Sequence, residues 1–320
     1  MLYPMLCAPV FKDYLWGGNR LQTVLHKQYQ APMMAESWEL SCHPDGMSTI
    51  HNGPLAGRTL HQVLLEHPAW MGEKAQGQRQ LPLLIKFIDA QKDLSIQVHP
   101  SVRTADPQKG EQDKTEIWYI LSCEPDAFLY YGFNRIITPQ ELKERAQDGS
   151  ILEVLNRVPV HPGDVFHIWA GTIHAIGKGI LLAEIQQNSN TTFRVYDFGR
   201  KDKDGKPRAL HIEDAARAVN YVVTDPHIDR PQTQHLPDGT QFQPVFTSDV
   251  FQTERYQITR AHAFTCTPQS FEAVLCIDGQ GAIAYNGEEY AMEKGTCYFL
   301  PADLGGYQVQ GACEILRSML

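Results

Sequence analysis

The stretch LSIQVHP, Leu94–Pro100, alternates with a period of two. Leu94, Ile96 and Val98 fall on one face and Ser95, Gln97 and His99 on the other, the pattern of a strand packed on one side. The polar face carries an amide and an imidazole pointing the same way, so it is either solvated or converges on a ligand. Outward from this stretch, the region to about residue 200 holds further short runs separated by Pro, Gly and Asp: LPLLIKFIDA, EIWYIL, AFLYYGF, GDVFHIWAG, GILLAEIQQ and TTFRVYDF. Strands this closely spaced point to a sandwich or barrel rather than a βαβ sheet.

Helices are few. In TPQELKERAQDG, Thr138 as N-cap, Pro139 at the first helical position and Glu141 at the capping-box position place a helix at about 139–147. RTLHQVLLEHPAW, with Thr59 as cap, and HIEDAARAVNYV read as two more. Residues 221–245 are rich in Pro, Asp and Gln, lack periodicity and read as a connection. Beyond them FQTERYQITRA, FEAVLCIDGQGAIAYNGEEYAM, GTCYFLPADL and GACEILRS read as strands. The expectation is a mainly β chain in two units, residues 1–225 and 226–320.

Composition narrows the function. A chain of 320 residues with 42% hydrophobic residues can pack two cores. Its formal charge of −9 disfavours a generic nucleic-acid binder, which needs a basic footprint. No apolar run reaches the roughly 18 residues of a membrane span, and the N-terminal stretch lacks a basic region followed by an apolar core, so a cytoplasmic protein is expected. The seven cysteines are scattered without a Cys-x-x-Cys pair, the usage of reduced, mostly buried thiols. Residues 226–320 carry 11 acidic and 5 basic side chains, so a small anionic ligand is sought in the first part.

Glu116 in DKTEIWYIL and His174 in AGTIHAIG lie on other strands of the first unit. If they meet Gln97 and His99, the four make an N/O ligand set that suits zinc and leaves a position open. Singly, each has a plainer reading. A strand histidine is more often a surface or hydrogen-bonded residue, glutamine is a rare ligand, and Glu116 near Lys114 suits an exposed ion pair. His161 and His167 are further candidates that spacing alone does not reject.

Local pattern separates them. In PGDVFHIWAGTIHAI, Gly163, Asp164, Gly171 and His174 stand at the intervals of the second cupin motif, with Trp169 where that motif has proline. The upstream half is looser: Gln97 replaces the first histidine of a His-x-His pair, and Glu116 lies 17 residues beyond His99. The template recurs in GTCYFLPADLGG with Gly295 and Pro301 kept, but with Asp303 for its glycine and Gly306 for its histidine. The second unit therefore reads as a cupin barrel that cannot bind metal.

LPLLIKFIDAQKDLSIQVHP, DKTEIWYIL, GTIHAIGKGILLAEIQQNSNTTFRVYDFGR, YLWGGNRL and AESWELS together resemble the short bacterial form of the type I mannose-6-phosphate isomerases. The matches run in order from about residue 13 to 220, and the C-terminal part fits the family's second cupin domain. The resemblance implies two cupin-like jelly-roll β-barrels, interconversion of D-mannose 6-phosphate and D-fructose 6-phosphate, and one zinc per chain on Gln97, His99, Glu116 and His174. It maps the family's active-site arginine onto Arg194, to which we assign stabilisation of anionic charge on an enediolate or on the phosphate. Glu184, on a predicted buried strand, is the candidate proton carrier. Arg200, Lys201, Lys86 and Lys114 are candidates to hold the phosphate. Only 57 residues separate Glu116 from His174, so the helical domain inserted in longer members is reduced or absent.

The expected partner is thus a small sugar phosphate, with no nucleic acid or membrane, and the chain a monomer or homodimer. Two rival readings use the same residues. A dioxygenase would hold non-haem iron on His99, Glu116 and His174, but leaves Gln97 and the basic residues without a role. A non-catalytic sugar-binding cupin is disfavoured by the intact ligand set and Arg194.

Overall fold

The computed structural model describes residues 2–201, 205–225 and 232–320. Its centre is a six-stranded antiparallel sheet in the order Val165–Ile168, Glu116–Cys123, Ile180–Gln187, Leu83–Ala90, Glu36–Leu40 and Val10–Lys12. Leu83–Ala90 is buried at every position because both faces are covered, which is why its sequence is a continuous apolar run rather than an alternation. One face sends Ile85 and Phe87 into a core shared with Phe271, Phe299 and Leu316 of the C-terminal part. The other sends Ile88, Trp118 and Leu182 against Leu129, Val158 and Ile176 of a second, five-stranded sheet.

That second sheet runs Leu155–Pro159, Phe128–Phe133, His174–Ile176, Ile96–Val98 and Phe193–Tyr196. Its outer side is covered by the helices Pro139–Asp148 and Ile212–Ala218, which contribute Leu142, Ala146, Ala215 and Ala218 to a separate apolar cluster. The two facing sheets are the mainly β, jelly-roll arrangement of a cupin, open between the sheets rather than closed into a cylinder.

The helix expected at 139–147 spans Pro139–Asp148, and the Thr138 hydroxyl accepts from the Glu141 amide at 3.1 Å. The Glu141 carboxylate does not return to the cap; it bonds Arg135 and, at 2.7 Å, Arg145. The reciprocal box forms instead at Leu60–Glu66, where Thr59 and Gln62 exchange two side-chain-to-backbone bonds, each at 3.2 Å. Thr59→Ala is expected to destabilise the protein by about 1 kcal/mol. Urea unfolding checks this, and an unchanged midpoint would contradict the cap's contribution.

The C-terminal part forms a ten-stranded sheet built on the long strands Glu272–Tyr285 and Gly305–Met319. Asn286 and Gly287, both with positive φ (50° and 79°), turn the chain tightly from Glu272–Tyr285 into Glu288–Glu293, as a two-residue hairpin requires. This sheet also takes in two strands from the start of the chain: Met5 pairs with Phe299, and Cys7 with Ile50.

The 221–245 segment is less of a connection than its composition suggests. Residues 226–231 lie outside the described residues, but Gln234–His235 and Gln241–Thr247 are paired strands. They escape a periodicity reading because Gln234–His235 is a short, exposed edge strand and Pro244 sits at a register shift, both places where alternation is not required. All seven cysteines are free thiols, six buried and Cys123 half-buried. No helix among the described residues is long and apolar enough to cross a membrane.

Candidate metal centre and substrate cavity

Strand register assembles the site. On the five-stranded sheet, His174 pairs with Gln97 and Gln97 with Arg194, so three polar side chains stand in a row across three strands. On the facing sheet, Glu184 pairs with Lys86 on one side and Trp118 on the other, while Glu116 pairs with Gln186 two residues along. Because side chains alternate across a sheet, Glu116, Trp118, Glu184 and Lys86 share one face.

His99, Glu116 and His174 are buried and bring one ligand atom each within 4.8 Å of one another. Nε2 of His99 lies 3.5 Å from Glu116 Oε2, and Nε2 of His174 lies 3.6 Å from Oε1. Each imidazole donates its Nδ1 proton to a backbone carbonyl, His99 to Thr191 at 2.9 Å and His174 to Thr172 at 2.8 Å. That leaves both Nε2 lone pairs facing the carboxylate, the tautomer a metal ligand needs. The Gln97 amide nitrogen is 3.4 Å from His174 Nε2, and turning the amide over would bring its oxygen to the same place.

Charge states follow from the surroundings. Burial and the neighbouring Lys114 push the His99 imidazole down to about 4, and burial lowers His174 as well. Burial alone would raise Glu116, but the charge of Lys114 at 2.8 Å holds it well below the carboxylate range. Oε2 of Glu116 is ion-paired with Lys114, while Oε1 receives no hydrogen bond. A buried carboxylate with one oxygen left without a hydrogen bond, flanked by two neutral imidazoles, is a donor set that fits a divalent cation. Among the described residues no other group of three His, Cys, Asp or Glu side chains comes as close together.

Beside this cluster lies a cavity of about 240 Å³, lined by Gln97, Lys114, Lys86, Glu184 and Arg194, with Trp16 and Leu94 as apolar wall. Glu184 accepts from Trp118 Nε1 at 2.8 Å, and its other oxygen is 3.1 Å from Lys86. Lys86 is raised above its ordinary range: burial lowers it, but Glu184 and Glu36 outweigh burial. Arg194 donates to Ser95 Oγ at 3.3 Å and to the Ala209 carbonyl at 2.8 Å.

Of the basic candidates, Lys86 and Lys114 line this cavity, whereas Arg200 and Lys201 do not. The Arg200 guanidinium is turned onto the Asp93 carbonyl and the Asp197 carboxylate, and Lys201 is exposed and bridged to Pro207. His161 is exposed beside Asp164, and His167 packs on Phe246, both away from the cluster. The cavity also contains Arg208, which the sequence reading missed. It follows a proline in a charged stretch of sequence, KDKDGKPRAL, where no periodicity marks a direction. In the C-terminal sheet the polar interior is filled instead: Arg317 is held by Glu254 at 2.9 Å and by Glu272, which accepts from Tyr307 at 2.5 Å.

Facing jelly-roll sheets with a buried His–Glu–His cluster at a cationic cavity define a cupin equipped to hold a metal ion. Within that class the similarities are specific. The family model for phosphomannose isomerase type I, catalytic domain, matches residues 5–121, and that for the mannose-6-phosphate isomerase cupin domain matches residues 242–320. The chain is 36% identical to the mannose-6-phosphate isomerase ManA of Bacillus subtilis, over 99% of both chains. It is 35% identical to the mannose-6-phosphate isomerase of Streptococcus mutans, over 99% of this chain and 98% of that one. The crystal structure of the Bacillus subtilis mannose 6-phosphate isomerase superposes with a TM-score of 0.92, at 32% identity and 99% coverage of both chains. The chain belongs to the type I mannose-6-phosphate isomerase family.

Proposed function

We propose that this chain is a zinc-dependent aldose–ketose isomerase that interconverts D-mannose 6-phosphate and D-fructose 6-phosphate. Residues 1–225 carry the chemistry, and residues 226–320 form a cupin unit without metal ligands. One observation carries the reading: the row Arg194, Gln97 and His174 faces Glu116 and Glu184 in a chain similar over its full length to mannose-6-phosphate isomerases.

Interconversion moves a proton between C1 and C2. The difficult step is deprotonation of carbon beside a carbonyl, which becomes feasible when charge is placed where the enediolate oxygen develops. Gln97, His99, Glu116 and His174 would hold zinc, which when bound supplies Lewis-acid charge to the substrate oxygens. Arg194 adds a guanidinium held by Ser95 and Ala209, suited to the enediolate or the phosphate. Glu184 carries the proton. Trp118 fixes one of its oxygens, and Lys86, 3.1 Å from the other, stabilises the carboxylate once it is charged.

Proton NMR of fructose 6-phosphate incubated with the protein in deuterium oxide tests both parts. Mannose 6-phosphate carrying deuterium from solvent is expected, and Glu184→Gln should stop label uptake while retaining zinc. Absence of mannose 6-phosphate would contradict the function. Normal turnover and labelling by Glu184→Gln would contradict its role as proton carrier.

A further inference from the structure

The charges around the cavity are divided unevenly. Lys86 lies 3.1 Å from Glu184 and 3.7 Å from Glu36, and Lys114 lies 2.8 Å from Glu116, so each lysine is matched by at least one carboxylate. The arginines are not matched. Arg200 and Arg208 share the single carboxylate of Asp197, and among the described residues no carboxylate lies within ion-pair distance of Arg194. Among the described residues, three guanidiniums against one carboxylate leave an excess of two positive charges in a half-buried setting. Arg194 registers it: burial and then the charge of Arg208 hold it below its ordinary range. A phosphate monoester carries a charge of about −2 at neutral pH, and its oxygens match the planar fork of a guanidinium.

Arg208 is also held in place. Its Nε donates to Asp197 Oδ2 at 2.8 Å and its Nη2 to Oδ1 at 2.5 Å, a two-point clamp on a carboxylate that is itself nearly buried. Nη1 has no partner among the described residues and remains available. The segment carrying Arg208 is tied to Arg194 by three bonds: the Arg194 guanidinium to Ala209 O at 2.8 Å, His211 N to Arg194 O at 2.8 Å, and Arg194 N to His211 Nδ1 at 3.1 Å. Both arginines line the same cavity as Gln97. The clamp explains why this arginine, and not the neighbouring Arg200, reaches the cavity: Arg200 donates through Nε, Nη1 and Nη2 to Asp197 and to the Asp93 carbonyl.

Resting on the isomerase reading above, we propose that Arg208 binds the phosphate of the sugar phosphate together with Arg194, and that Asp197 positions Arg208 for it. The lysines, already paired with carboxylates, then serve the chemistry at the other groups of the sugar rather than the phosphate.

Calorimetric titration of the zinc-loaded, full-length protein with mannose 6-phosphate and with inorganic phosphate tests this, for wild type, Arg208→Gln, Arg208→Lys and Asp197→Asn. Arg208→Gln should weaken both ligands by about tenfold or more with zinc content unchanged, the loss expected for a charged hydrogen-bonding partner. Arg208→Lys, which keeps the charge without the fork, should recover part of it. Asp197→Asn should raise KM for mannose 6-phosphate with kcat changed less, which general destabilisation does not produce. Wild-type affinity of Arg208→Gln for both ligands overturns the proposal even if wild type is an active isomerase. A wild type whose binding depends on Arg208 but which does not interconvert the sugar phosphates supports the phosphate site and overturns the isomerase reading. If Arg208→Gln does not fold, the Arg208→Lys and Asp197→Asn titrations decide, and wild-type affinity in both overturns the proposal.

Discussion

His174→Ala is expected to yield a protein without stoichiometric metal and without measurable isomerisation of mannose 6-phosphate. The imidazole stands between Gln97 and Glu116, 3.4 Å and 3.6 Å from their nearest atoms, and its tautomer is set by the Thr172 carbonyl. Outer-shell changes at metal sites already cost about 10–100-fold in affinity, so deleting a ligand should exceed that range. Burial keeps this imidazole neutral, which favours metal over proton at working pH. His99→Ala should behave the same way, since its Nε2 faces the other Glu116 oxygen. Atomic absorption on the dialysed proteins checks this against wild type, with thermal melting to confirm folding. One metal per chain retained by either variant would refute the ligand set.

Arg194→Ala should separate chemistry from metal binding. Among the described residues its side chain is linked to the proposed ligands only through Ser95, whose hydroxyl accepts from the Arg194 Nε at 3.3 Å and lies 3.5 Å from the Gln97 oxygen. Metal content should therefore stay at the wild-type level. Loss of a charged donor to the substrate's anionic oxygens should lower kcat/KM by about 10²-fold or more, whether through the phosphate or through the enediolate. Arg194→Lys keeps a charge but not the planar fork, and should recover activity only in part. Steady-state kinetics with matched metal analysis checks this. Wild-type turnover in Arg194→Ala would remove the residue from the mechanism.

The strands around the site were legible because each carries its own signal. LSIQVHP alternates, and Gly163, Gly171 and His174 keep fixed intervals. Those local signals say which side chains share a face. Register, which no single strand encodes, decides which faces meet: only the pairing of Gln97 with both His174 and Arg194 puts the three in a row. The pairing of Met5–Ala8 with Cys297–Leu300 is a contact across almost the whole chain, and nothing in MLCA announces it. Charged stretches without periodicity were the least legible. In GRKDKDGKPRAL every basic residue looks alike and only nearness to the motif favours Arg200 and Lys201, whereas Asp197 and the bonds to Arg194 bring Arg208 to the cavity.

Zinc-dependent isomerisation is decided by a coupled assay of the purified protein with fructose 6-phosphate and mannose 6-phosphate, before chelation, after it, and after zinc is restored. Turnover in both directions is expected, disappearing on chelation and returning with about one zinc per chain. Turnover that survives complete removal of metal, or a zinc-loaded protein that converts neither sugar phosphate, would contradict it.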